Sequence, residues 1–138
     1  GGYPKDIDLY QAQKALDNAV HAVREGGVIV LLAECPEGFG NQTFETWLRD
    51  ARSPGEVLER IQKGFVLGGH KAAAVARVLR RTRVYLVSSM PEHAVRSGGM
   101  VPFSDAGSAV EAALSHAGTP ARVLLMPEGG SVLPVVPG

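Results

Sequence analysis

The stretch VIVLLAECPEGFGN, residues 28–41, decides the fold class. It opens on six unbroken apolar residues, the first three of them β-branched, and Glu34 closes the run. The run is far too short to span a membrane. It is also too continuous for a strand with one wet face, where apolar and polar residues alternate. It reads as a strand buried on both faces, which requires cover from both sides. The loop that follows, CPEGFGN, carries the glycine and proline of a tight, irregular turn.

The neighbouring segments supply that cover. Before the run, Leu9, Ala12, Leu16, Val20 and Val23 recur at helical spacing, and Gly26-Gly27 ends the pattern. After it, QTFETWLRDA (42–51) reads as a helix. SPGEVLERIQKG (53–64) reads as another, with Ser53 as N-cap, Pro54 in the first turn and Glu56 completing a capping box. GGHKAAAVARVLRR (68–81) is an alanine-rich helix after a glycine pair, and RVYLVSS (83–89) is a second strand. SMPEHAVRSGG (89–99) repeats the capping signal from Ser89 to Glu92. MVPF (100–103) is a brief third strand weakened by Pro102, and DAGSAVEAALSHAG (105–118) is a helix capped by Asp105. ARVLLMPEGG (121–130) is a fourth strand, and SVLPVV (131–136) an edge strand at the end.

Strands that alternate with helices imply βαβ units. The expectation is one domain, residues 1–138, with a three-layer α/β/α architecture and a mostly parallel sheet of about four strands. Its strands centre on residues 28–33, 84–87 and 123–126, in the order 3-2-1-4. The arrangement is Rossmann-like. Ligands of such sheets sit beyond the carboxyl ends of the strands, here ECPEGFGN, SSMPEH, FSDAG and MPEGGS.

Composition narrows the function. The 138 residues are 45% apolar and 20% charged, an ordinary globular mix with room for a core. Lys+Arg and Asp+Glu both number 14, so there is no basic surplus for nucleic acid. The arginines of RVLRRTR suit a helix C-terminus, where cations complement the dipole. The single cysteine, Cys35, allows no internal disulfide and accords with a cytoplasmic location. No membrane span and no signal peptide is visible, and GGYPKD reads like the interior of a longer polypeptide.

Familiar chemical motifs are absent or partial. GFGNQT places Thr43 where a dinucleotide loop needs its third glycine, and no P-loop exists. The histidines, His21, His70, His93 and His116, show no metal-ligand spacing, so no metal site is expected. Cys35 lies just past a strand but has no assignable base.

The opening stretch, GGYPKDIDLYQAQK (1–14), holds a different constellation. Tyr10, Gln11 and Lys14 share one helical surface in the first turns. Free backbone N–H groups and the helix dipole there favour an anion. Lys14 can neutralise a carboxylate, Gln11 can hydrogen-bond one, and Tyr10 adds a donor beside a ring edge. A plain alternative is a solvated helix face, with Asp8 and Gln11 spent on a capping box.

GGYPKDIDLYQAQKAL resembles the segment that opens the C-terminal domain of the lactate racemase family, the nickel-pincer-nucleotide-dependent 2-hydroxyacid racemases and epimerases. GFVLGGHKA resembles a second motif of that family. The resemblance covers nearly the whole chain, and only the C-terminal portion of a family member. It implies a missing N-terminal domain that carries the cofactor and the catalytic histidines. The chemistry it implies passes a hydride from the substrate C2 to the cofactor while a histidine takes the hydroxyl proton, and then returns the hydride to the other face of the 2-oxoacid. It also implies a substrate-capping domain whose Tyr10, Gln11, Lys14, His70 and Lys71 contact the hydroxyacid, with no catalytic residue and no metal of its own. Lactate-specific members depart from HKA, so retention of GGHKA points to another 2-hydroxyacid. The alternative from a different class is a non-catalytic α/β module that binds a small anion or a protein partner.

Overall fold

A computed structural model describes residues 7–118 and, as backbone alone, 121–123 and 132–137. The opening residues 1–6 lie outside the described residues, as do residues 124–131, which hold most of the expected strand at 121–130 and its MPEGGS end.

The strand at the head of the decisive stretch, β1 (Val28–Leu32), runs parallel to β2 (Arg83–Val87), and β2 runs parallel to β3 (Val101–Phe103). Val30 stands opposite Tyr85, and Tyr85 opposite Val101. Side chains alternate across the sheet. Ile29, Leu31, Val84 and Leu86 therefore enter a large core beneath α1 (Leu9–Ala19), α2 (Gln42–Asp50), α3 (Pro54–Gln62) and α4 (Gly69–Arg81). Val28, Val30 and Tyr85 enter a smaller core with Ala109 and Ala113 of α6 (Ala106–Ala117). The short α5 (Glu92–Ser97) joins β2 to β3 and sends Val95 into the large core. The domain is the expected three-layer α/β/α, with unequal outer layers.

The far side of the sheet departs from expectation. The order is β3-β2-β1-β5-β4, where β4 is Ala121–Val123 and β5 is Val132–Pro137. β5 pairs antiparallel with both β1 and β4. The last strand is thus internal rather than an edge, and the fourth does not touch the first. The physical reason is the length of the connection: β4 ends at Val123 and β5 begins at Val132, too close in sequence for the crossover of about a dozen residues that a parallel pair needs.

Local signals fared unevenly. Asp105 caps α6, accepting from the Ser108 N–H at 2.8 Å. Hydrogen bonding from Ser108 holds its carboxyl below the ordinary aspartate range. The two serine capping boxes do not form. Ser53 makes no side-chain cap bond, and the Glu56 carboxylate reaches one residue further back, to the Arg52 N–H at 2.8 Å and its Nε at 3.2 Å. Ser89 instead donates its N–H and its hydroxyl to the Glu34 carbonyl at 2.9 and 2.8 Å, tying together the ends of β1 and β2. Pro91 is the residue that precedes α5. Helix α1 stops at Ala19 and finishes in a 3-10 turn, Val20–Ala22, before the glycine pair.

Candidate functional site

The N-terminus of α1 is built against the loop that follows β1. Glycine makes that contact possible: Gly40 has a φ of 85°, and a Cβ there would overlap the Asp8 side chain. The Asp8 carboxylate caps α1 by accepting from the Gln11 N–H at 2.8 Å. The Leu9 N–H donates to the Gly38 carbonyl at 2.8 Å, the Tyr10 N–H to the Phe39 carbonyl at 3.0 Å, and the Ala12 N–H to the Asp8 carbonyl at 3.1 Å. All four first-turn donors are therefore consumed. The expectation that free helix N–H groups help to hold an anion is corrected here, since two loop carbonyls and Asp8 take them. Charge at this surface rests on side chains.

Those side chains are well disposed. Gln11 and Lys14 are exposed, on the face opposite Leu9, Ala12 and Leu16. Neither side chain has a hydrogen-bond or ion-pair partner among the described residues. Tyr10 is half-buried, its ring edge-on to the buried Phe44 with centroids 5.4 Å apart and planes at 84°. Phe39 also packs edge-on to Phe44, with centroids 6.2 Å apart. Phe44 is a platform that the periodicity of α2 did not single out as part of a site.

The second motif meets the first at this point. The Lys71 ammonium stands 4.0 Å above the centre of the Tyr10 ring and donates to the Tyr10 carbonyl at 3.3 Å. This couples residues 61 positions apart. An ammonium has three donors, so capacity remains for a ligand. Helix α4 can start here because Gly68 adopts a φ of 89° and Gly69 leaves room for the Trp47 ring, which a Cβ would meet at 2.7 Å. His70 lies in the first turn of α4, half-buried. The Gly68 N–H donates to its Nδ1 at 3.1 Å, and the Phe65 ring packs on it at 5.2 Å between centroids. With Nδ1 accepting, the neutral ring carries its proton on Nε2. His70 thus serves its own helix start and keeps one outward donor.

Further along α1, burial pushes the Asp17 carboxyl above the ordinary aspartate range, against the opposing pull of Arg77, His21 and Lys71. A carboxyl raised on folding favours the folded state at low pH. That advantage fades as pH rises from about 4 through the raised value. Asp17→Asn is expected to be at least as stable as wild type at pH 7 and indistinguishable from it at pH 3. Melting temperatures of both proteins across this range check it. A variant less stable at pH 7 would mean that the cations outweigh the burial.

No cluster of three or more His, Cys, Asp or Glu able to hold a metal occurs among the described residues. No helix among them is long and apolar enough to cross a membrane.

The fold and this surface define an α/β/α domain with a cationic, partly aromatic ledge at the start of two adjacent helices. The chain belongs to the lactate racemase C-terminal domain family, whose model matches residues 1–134. It is 30% identical to a lactate racemase of Thermoanaerobacterium thermosaccharolyticum and 29% identical to one of Lactiplantibacillus plantarum, in each case over 96% of this chain and 32% of the relative. The apoprotein structure of the T. thermosaccharolyticum enzyme superposes with a TM-score of 0.88 at 29% identity, covering 94% of this chain and 32% of that one. The chain thus spans about a third of the length of the relatives it matches.

Proposed function

We propose that this domain is the substrate-capping part of a 2-hydroxyacid racemase or epimerase. The observation that carries the reading is the junction of the two motifs. Lys71 stands over Tyr10, beside the exposed Gln11 and Lys14, whose side chains have no partner among the described residues. Two ammonium groups and an amide on one surface suit a carboxylate with an adjacent hydroxyl. Lys14 neutralises the carboxylate, Gln11 hydrogen-bonds the carboxylate or hydroxyl, and the Lys71 ammonium is held in place by the Tyr10 ring face. His70 offers Nε2–H as a further donor.

The cofactor that the resemblance implies is a nickel-pincer nucleotide. The described residues contain no donor set that fits it as ligands. It belongs, in this reading, to an N-terminal domain of the same polypeptide, and no step is assigned to it here. The role of the present residues is to bind and orient the hydroxyacid and to exclude water as the two parts close. The buried Cys35 accords with a cytoplasmic enzyme.

The test is a chiral assay of the full-length, cofactor-loaded protein on a panel of 2-hydroxyacids that includes lactate. At least one member should interconvert, from either configuration at C2. Retention of GGHKA leads to the expectation that lactate is not the best substrate. No turnover of any member would overturn the reading in favour of a binding module.

A further inference from the structure

Beside the ledge the surface turns apolar. Phe65, Val66 and Leu67 are consecutive and exposed by 74%, 42% and 69%. They form the tip of the loop between α3 and α4, rimmed by the exposed cations Arg60 and Lys63. The loop is held out by its attachments. The Gly64 N–H donates to the Ile61 carbonyl at 3.1 Å, and the His70 N–H to the Val66 carbonyl at 3.1 Å. At its base a Cβ on Gly68 would lie 2.5 Å from the Asn41 Oδ1. A braced loop that presents three large apolar side chains within a charged rim has the anatomy of an interface centre. The amides of Phe65, Val66 and Leu67 have no acceptor among the described residues.

We propose that this tip is a docking surface for the rest of the same polypeptide, the part that completes the racemase cleft. The proposal rests on the functional reading above and names the contact that seats the cap. Position selects the occupant. Phe65 packs on His70, and the next residue, Lys71, sits on Tyr10. Whatever covers the tip therefore lies against the mouth of the ledge. A second copy of this domain seated there would close the ledge to substrate. The remaining two-thirds of a family member, which this chain does not span, is in the functional reading above the part that faces the ledge.

Hydrogen–deuterium exchange of the full-length protein tests this, with Leu67→Asp and the milder Leu67→Ser. Leu67 is 69% exposed and is not one of the residues assigned to the ledge, and the amides of β1 report whether each variant is folded. In wild type the amides of residues 65–67 should exchange at least about tenfold more slowly than unprotected amides, at a rate independent of protein concentration. Leu67→Asp should abolish that protection, leave β1 unchanged and lower kcat/KM at least about tenfold, with Leu67→Ser intermediate. Fast exchange in wild type, or protection that the variants leave intact, would overturn the proposal. Protection that appears only at high protein concentration would assign the surface to a second copy and overturn it too. A protected tip that Leu67→Asp exposes, in a protein that turns over no hydroxyacid, would uphold the docking surface and sink the racemase reading instead.

Discussion

Phe44→Ala is expected to destabilise the protein by about 3–5 kcal/mol, the range for removing a large buried aromatic. Phe44 is fully buried, and its ring is the shared partner of Tyr10 and Phe39. Each edge-on pair adds about 0.5–1.5 kcal/mol beyond burial. A typical domain is stable by only about 5–15 kcal/mol, so this substitution would consume a large share. The consequence reaches the ledge. Tyr10 would lose the wall that fixes its ring, and Lys71 would lose the surface over which it stands. Phe44→Leu, which preserves most of the volume, should be much milder. Denaturant unfolding of the three proteins checks the ranking. A loss below about 1 kcal/mol for Phe44→Ala would show that the aromatic tier is dispensable.

Lys14→Ala, in the full-length enzyme, should lower kcat/KM about tenfold to a hundredfold. A charge-assisted hydrogen bond to a carboxylate contributes about 1.5–3 kcal/mol, and each 1.4 kcal/mol is a factor of about ten. Stability should move by no more than about 0.5 kcal/mol, because the exposed lysine has no partner among the described residues. The occupied helix N-terminus sharpens this expectation. With the Leu9, Tyr10, Gln11 and Ala12 N–H groups all engaged, the backbone offers nothing to replace the lost ammonium. Gln11→Ala should cost less, and without loss of stability, since Asp8 caps the helix through the Gln11 backbone and not through its side chain. Steady-state kinetics and melting of both variants separate these effects. Unchanged kcat/KM in Lys14→Ala would remove it from the site.

Much of the scaffold was legible because periodicity reports burial. The unbroken run at Val28 demanded cover on two faces, and the stripe through Leu9, Ala12 and Leu16 left Gln11 and Lys14 on the open side. Features decided by one segment meeting another were not legible. Nothing in the spacing of residues 1–14 says that the carbonyls of Gly38 and Phe39 will occupy the start of α1. Nor does it say that Lys71 will settle on a ring 61 positions away. Ser53 and Ser89 carry perfect local capping signals, yet other contacts win: Glu56 turns to its near neighbour Arg52, a local competitor, and Ser89 locks onto the end of β1, a tertiary one. The placement of the last strand between β1 and β4 depended on which strands pair, which apolar runs alone do not encode.

The most direct measurement is a crystal structure of the full-length protein with a 2-hydroxyacid bound. The account predicts a carboxylate oxygen within about 2.7–3.2 Å of the Lys14 ammonium, with Gln11 and Tyr10 lining the same pocket. A substrate held elsewhere, with Lys14 turned to solvent or paired with a protein carboxylate, would contradict it.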